Sequence, residues 1–224
     1  MIRALAVDID GTLTDKSRAI CPVSVEIIRK LKAPVILTTG NTHCFTRTAC
    51  ILLGLKKVFI AENGGVVSYA DDELEFLADL KVCERAYDEL GRVFDLKKHD
   101  SRYRFTDIAL VRNFDVEKAQ RYADEHDLSV DLIDTRYAVH IKERGVDKGT
   151  GLVRIAARLG LDLREFAAIG DSLSDIPMFR LAGFRACVGN SDDALKAVSD
   201  YVSEDGYGPG FADIIRHMKD QRII

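Results

Sequence analysis

The feature that most constrains this chain is a rhythm. Over the first 70 residues short apolar strands alternate with amphipathic stretches: "ALAVDI" (4–9), "PVSVEIIRKLK" (22–32), "PVILTT" (34–39), "THCFTRTACILLGL" (42–55), "KVFIAENGG" (57–65) and "VVSYA" (66–70). In the first amphipathic stretch Val25, Ile27, Ile28 and Leu31 form a helical stripe behind Pro22. Continuously apolar strands separated by helices of about ten residues are the pattern of βαβ units, whose crossover helices cover both faces of a parallel sheet.

The rhythm breaks near residue 80. "LKVCERAYDELGRVFDLK" (80–97) and "VEKAQRYADEHD" (116–127) read as helices. "RFTDIALVR" (104–112), "LSVDLID" (128–134) and "RYAVHIKE" (136–143) alternate apolar with polar, as an antiparallel sheet with one wet face does. The polar stretch 98–104 reads as a turn or a short extra strand. After "GVDKGTG" (145–151) the parallel rhythm resumes: helix 152–160, strand 166–170, helix 174–182, strand 184–189, helix 192–200 and a last helix from 210. The expected architecture is α/β: a doubly wound, mostly parallel Rossmann-like sheet with an inserted smaller α+β cap. The core takes residues 1–80 and 148–224, and the cap 81–147. "GYGPGF" (206–211) lacks the Lys-Ser/Thr of a nucleotide-binding loop and reads as a flexible connection.

In such a sheet ligands bind beyond the carboxyl ends of the strands, and three polar turns fall there: Asp8 and Asp10 in "DIDGT", "TTGN" (38–41) and "GDSLSD" (170–175). A strand puts residues i and i+2 on one face, so Asp8 and Asp10 are two negative charges roughly 7 Å apart. Buried without partners they would be costly. Asp8, Asp171 and Asp175 offer only oxygen ligands, which suits Mg²⁺, a hard cation that keeps waters and accepts a substrate phosphate. Gly11, Gly40 and Gly170 permit close backbone approach, Thr39 can donate to a phosphoryl oxygen, and one further cation would complete a phosphate cradle.

Composition narrows the classes. A net charge of −4 argues against general nucleic-acid binding. No run approaches the roughly 18 apolar residues that span a bilayer, and the N-terminus enters a strand without signal-peptide architecture. The five cysteines form no CxxC pair, so neither a disulfide framework nor a zinc site is expected. A cytoplasmic protein without membrane or nucleic-acid partners, a monomer or homodimer, is the expectation.

The four elements "DIDGT", "TTGN", the lysine of "DKG" and "GDSLSD" occur in the order of the four motifs of haloacid dehalogenase (HAD)-like phosphatases. With an insert between the second and third, and with "ENGG" (62–65) and Asn190 in "VGNSDDA", the chain resembles the Cof-type branch with an α/β cap, and within it the archaeal-type phosphoglycolate phosphatases. The resemblance implies that Asp8 is the nucleophile forming an aspartyl-phosphate, and Asp10 the general acid and then base. It implies that Thr39, Gly40, Lys148 and Asn190 bind phosphate. Mg²⁺ would be held by Asp8, the carbonyl of Asp10 and Asp171, with Asp175 bound or close by. Two positions depart from the branch: Ser174 stands where Asn is usual, so that a shorter hydroxyl must support Asp171 or Asp175, and Asn41 where Arg is frequent.

The implied substrate is a small phosphorylated metabolite, 2-phosphoglycolate first. A sugar phosphatase, a phosphomutase and a phosphate-binding regulator without turnover are the competing readings. Ion-pumping relatives carry Thr where this chain has Asp10, and an acid there favours hydrolysis. Arg102, Arg104, Arg112, Lys142 and Arg144 are the cap's candidates for a substrate carboxylate. His140 alternates with Val139 and Ile141, so it faces away from them. With no evident partner it reads as a solvated or sheet-face histidine rather than a catalyst.

Overall fold

The computed structural model describes residues 1–70, 73–99, 102–135 and 137–224. In chain order the elements are β1 (Ala4–Asp8), α1 (Pro22–Lys30), β2 (Val35–Thr38), α2 (His43–Leu53), β3 (Val58–Ala61), β4 (Val66–Tyr69), β5 (Leu74–Phe76), α3 (Leu80–Leu90), β6 (Asp107–Leu110) and α4 (Val116–Glu125). Then follow β7 (Val130–Asp134), β8 (Val139–Glu143), α5 (Lys148–Leu159), β9 (Phe166–Gly170), α6 (Ile176–Phe179), β10 (Phe184–Cys187), α7 (Asp193–Lys196), β11 (Tyr201–Val202) and α8 (Tyr207–Asp220).

The larger sheet has the order β11-β10-β9-β1-β2-β3-β4-β5. It is parallel from β11 to β3, and β4 and β5 add an antiparallel edge. β1 is buried along its whole length, which is why "ALAV" carries no polar alternation. On one face Ile28, Leu53, Phe211, Ile214 and Met218, from α1, α2 and α8, close the core. On the other Leu152, Ile155, Met178 and Phe179, from α5 and α6, do the same. The chain runs from β1 to β2 and β3 on one side and returns to β9 and β10 on the other. β1 therefore sits at the topological switch point, and the crevice beyond its carboxyl end is where such a sheet binds ligands.

Between β5 and α5 the chain builds a second, antiparallel sheet with the order β6-β8-β7. Ile108, Leu110, Val139 and Ile141 point into a cluster with Cys83, Ala86 and Leu90 of α3 and Ala119 and Ala123 of α4. The opposite face is not wet, contrary to the sequence expectation. Asp107, His140 and Lys142 are at most 5 % exposed, because this face is turned onto the carboxyl end of the large sheet.

Other departures have local causes. α3 stops at Leu90 rather than near 97, and the chain turns so that Phe94 packs against Phe114 and Tyr122. α5 begins four residues early, at Lys148, because Asp147 accepts from the Thr150 N–H and Thr150 closes the capping box. "GYGPGF" is no flexible connection but the first turn and a half of α8. Pro209 occupies a position whose N–H would lack an intrahelical partner anyway. A Cβ on Gly208 would lie 2.3 Å from Cys21 Cβ, and one on Gly210 2.2 Å from the Asp205 carbonyl. Those glycines serve close packing. The stretch 98–104 lies partly outside the described residues and supplies one antiparallel bridge, Lys98 to Leu110; Arg136 also lies outside them. No helix of the described residues is long and apolar enough to cross a membrane.

Candidate active site

At the end of β1, Asp8 meets Lys148 from the first turn of α5 and Asp175 from the turn after β9. The Lys148 ammonium donates to Asp8 Oδ1 and Asp175 Oδ1, both at 2.6 Å, and is 2 % exposed. Burial disfavours its charge, but Asp175 and Asp8 outweigh that and raise its pKa above the ordinary lysine value. Asp175 is fully buried; its other oxygen accepts from the N–H groups of Asp171 and Ser172, both at 3.0 Å. It thus folds the turn that presents Asp171 and aims Lys148 at Asp8. A Cβ on Gly170 would lie 2.3 Å from Asp175 Oδ2, and one on Gly11, itself at φ +85°, 2.2 Å from Asp171 Oδ2. Glycine at these two places is what lets the acids approach.

Carboxylate oxygens of Asp8, Asp171 and Asp175 come within 4.8 Å of one another. Lys148 bonds two of them, Asp8 and Asp175. Burial, then Asp175 and Asp171, push the Asp8 pKa well up against the pull of Lys148, and Asp8 Oδ2 is buried without a partner. A charge deficit, hard oxygen donors and an orphaned acceptor fit a divalent cation such as Mg²⁺.

Asp10 stands apart from this cluster. Its oxygens accept from Arg18 Nε at 2.7 Å and Asn41 Nδ2 at 2.5 Å. Arg18, which the sequence reading missed, turns back from the β1–α1 loop through a left-handed conformation at φ +69°. Its guanidinium lies 4.6 Å from the ring centroid of Tyr137 in the cap. So the cation absent at position 41 is supplied from position 18. Thr39 is buried; its hydroxyl oxygen accepts from the Asn41 N–H at 3.0 Å, leaving its hydrogen to donate. Gly40 lines the cavity above the acids.

Asn190 and Ser174 differ from expectation. Asn190 donates to the Gly11 carbonyl at 3.0 Å and accepts from the Tyr207 N–H at 2.6 Å. It ties the loop after β1 to the start of α8 and is not among the cavity's lining residues. Ser174 reaches Asp175 only through the Ser172 hydroxyl, 2.9 Å away.

The acids form the floor of a cavity of about 280 Å³ whose roof is the polar face of the cap sheet, with Arg104, His140 and Tyr137. His140 is not solvated: its ring is buried and its Nδ1 meets Asp107 Oδ2 at 2.8 Å. Arg104 holds Asp107 Oδ1 at 2.7 Å and the Gly40 carbonyl at 3.0 Å. Burial would raise the Asp107 pKa, but Arg104 and His140 bring it below the ordinary value. The other cap cations leave the site. Arg112 pairs with Asp134, and Arg144 with Asp124 and Asp131. Lys142 binds Asp131 and the Val146 carbonyl, and Arg102 is exposed. Glu62 joins core to cap: one oxygen accepts from the Phe105 and Thr106 N–H groups and the Thr106 hydroxyl, at 2.8–2.9 Å. Burial, then Asp107, push its pKa up to about 7.

A doubly wound sheet with an acid-and-lysine cluster at its switch point, roofed by an inserted α+β unit, defines a HAD-type hydrolase. The sequence matches the haloacid dehalogenase-like hydrolase family over residues 5–133 and 115–215, and the chain belongs to that family. It is 56 % identical over 224 residues to the phosphoglycolate phosphatase of Methanothrix thermoacetophila, with both chains fully covered. It is 42 % identical to that of Archaeoglobus fulgidus, with 96 % of each covered. Among solved structures, a Thermoplasma acidophilum protein superposes with a TM-score of 0.90 at 29 % identity, over 98 % of this chain and 99 % of that one.

Proposed function

We propose that this chain is a Mg²⁺-dependent phosphomonoesterase working through an aspartyl-phosphate on Asp8, with 2-phosphoglycolate as its substrate. The observation that carries the reading is Lys148 bridging Asp8 and Asp175 at the switch point, with Asp171 in the same acidic cluster and Asp10 two residues on from Asp8. The names of the relatives, at up to 56 % identity, support the substrate.

The Asp8 carboxylate attacks phosphorus in line, forming an O–P bond as the bond to the substrate alcohol breaks. Asp10 gives its proton to the departing oxygen, then takes one from the water that attacks the phosphoenzyme, releasing phosphate and restoring Asp8. To reach the leaving oxygen Asp10 must exchange one of its contacts with Arg18 or Asn41. Lys148 holds Asp8 in position, and the Thr39 hydroxyl donates to a phosphoryl oxygen. Mg²⁺, held by Asp8 and Asp171 with the Asp10 carbonyl and Asp175 alongside, would offset the charge of carboxylate and phosphate together.

The test is phosphate release from 2-phosphoglycolate against a panel of sugar phosphates, with Mg²⁺ and with chelator. Highest kcat/KM on 2-phosphoglycolate, loss in chelator and a fall of at least about 10⁴-fold in Asp8→Asn are expected. Equal rates in chelator would remove the metal from the reading; an active Asp8→Asn would remove the nucleophile.

A further inference from the structure

The roof of the cavity holds a buried guanidinium and a buried imidazole that the hydrolytic chemistry does not use. We infer that His140 and Arg104, held by Asp107, bind a carboxylate on the substrate and make the enzyme selective for short phosphorylated carboxylic acids. The inference rests on the phosphomonoesterase reading and adds to it the residues that choose the substrate.

Both side chains are more than nine-tenths buried, at 4 % and 6 % exposure, yet both line the cavity. Each has one pole committed and another without a partner. His140 Nδ1 meets the Asp107 carboxylate, which leaves Nε2 as the other pole; the doubly protonated ring donates there to an anion. Among the described residues no hydrogen bond engages Nε2. Arg104 spends Nη1 on Asp107 and the Gly40 carbonyl. Its Nε is buried with no partner, and among the described residues nothing engages Nη2. Unused donors on a buried guanidinium are costly unless a ligand completes them.

The surroundings make room for that ligand. Ala109, the register partner of His140 across β6 and β8, also lines the cavity and its methyl leaves space beside the imidazole. Asp107 is 1 % exposed, with an oxygen on each cation. It is therefore a positioning residue: it orients the ring of His140 and the plane of Arg104. Through the Gly40 carbonyl Arg104 is tied to the turn that carries Thr39. A planar, buried guanidinium beside an imidazole suits a carboxylate. The cavity, at about 280 Å³, lies at the small end of ligand sites, so phosphate and carboxylate must be separated by only a few bonds.

The experiment compares kcat and KM for 2-phosphoglycolate, for ethyl phosphate, which lacks the carboxylate, and for p-nitrophenyl phosphate. Wild-type enzyme is expected to prefer 2-phosphoglycolate over ethyl phosphate by at least about tenfold, a comparison that needs no variant. His140→Gln and Arg104→Met are expected to raise KM for 2-phosphoglycolate by about 10- to 100-fold, the range for a charge-assisted hydrogen bond, and to cost far less on the aryl ester. Asp107→Asn should shift the same KM with a smaller change in kcat. Parallel losses on all three esters, or an unchanged preference, would overturn the receptor. Good turnover of neutral esters without preference for 2-phosphoglycolate would also overturn it, while leaving the phosphatase standing. Turnover of none of the three would remove the phosphomonoesterase reading and the receptor with it.

Discussion

Two buried ionic clusters face each other across the cavity, and they are built on opposite plans. The floor places three carboxylates around one ammonium. The roof places a guanidinium and an imidazole around one carboxylate. The floor carries more negative than positive charge, whereas the roof leaves guanidinium donors unpaired. Buried groups without partners are costly, so each side marks what it is shaped to receive: a cation below, a hydrogen-bond acceptor above. The floor stands on the ends of the parallel strands β1 and β9 and the start of α5. The roof stands on a short antiparallel sheet, fastened to the core by Glu62 and Arg104.

The contrast is broken most sharply at Lys148. In Lys148→Met the floor keeps its acids and loses the ammonium that bridges Asp8 and Asp175. We expect phosphate release to fall by at least about 10³-fold, and unfolding free energy to drop by about 3–5 kcal/mol, the usual cost of removing one partner of a buried pair. Denaturant melts alongside initial rates check both. Next comes the metal. If the floor lacks a cation, Mg²⁺ should raise the melting temperature, by about 2.7 kcal/mol of stability at a hundredfold excess over its Kd. That rise should be absent in Asp171→Asn, and a variant that keeps it would relocate the ion.

The join between core and roof should answer to pH through Glu62. The Glu62 pKa is raised to about 7, so the folded protein binds a proton more tightly than the unfolded chain. The associated stability is present in full below the unfolded value near 4.5 and is lost as pH rises through 7. The loss is at most about 3 kcal/mol. Glu62→Gln should make the stability profile shallower between pH 5 and pH 8 in chelator, leaving the share that the raised pKa of Asp8 contributes. A profile as steep as that of the wild type would place the titration elsewhere.

The same contrast explains what could be read from sequence. The floor was legible because its acids close apolar strands, and β1 and β9 end where "ALAVDI" and "FAAIG" place them. Lys148 was legible by its place at the return of the parallel rhythm, although its helix begins four residues earlier than the apolar stripe suggests. The roof was not. His140 looked solvated because its partner, Asp107, is a diagonal neighbour on the paired strand, and that register is a tertiary fact. Alternation did signal that Asp107 with Ala109, and His140 with Lys142, share faces. It carried no information on what those faces meet. Arg18 was missed because a left-handed turn in a loop, not a periodic element, returns it to Asp10. The glycines of "GYGPGF" misled because tight packing and flexibility call for the same residue.

The smallest expected effect isolates the roof from the rest of the cap's positive charge. By sequence, Arg112 is as good a carboxylate ligand as Arg104; both flank the same strand. Arg104 is 6 % exposed and lines the cavity, whereas Arg112 is 47 % exposed and pairs with Asp134 on the surface. Exposed pairs of this kind contribute about 0–1 kcal/mol, since water screens them and two long side chains must be ordered. Arg112→Ala should therefore change stability by less than about 1 kcal/mol and leave KM for 2-phosphoglycolate within about twofold of wild type. A KM shift as large as that of Arg104→Met would mean that net cap charge, not a built receptor, attracts the substrate. The two variants would then respond alike to added salt, which screens long-range attraction and leaves a buried contact nearly untouched.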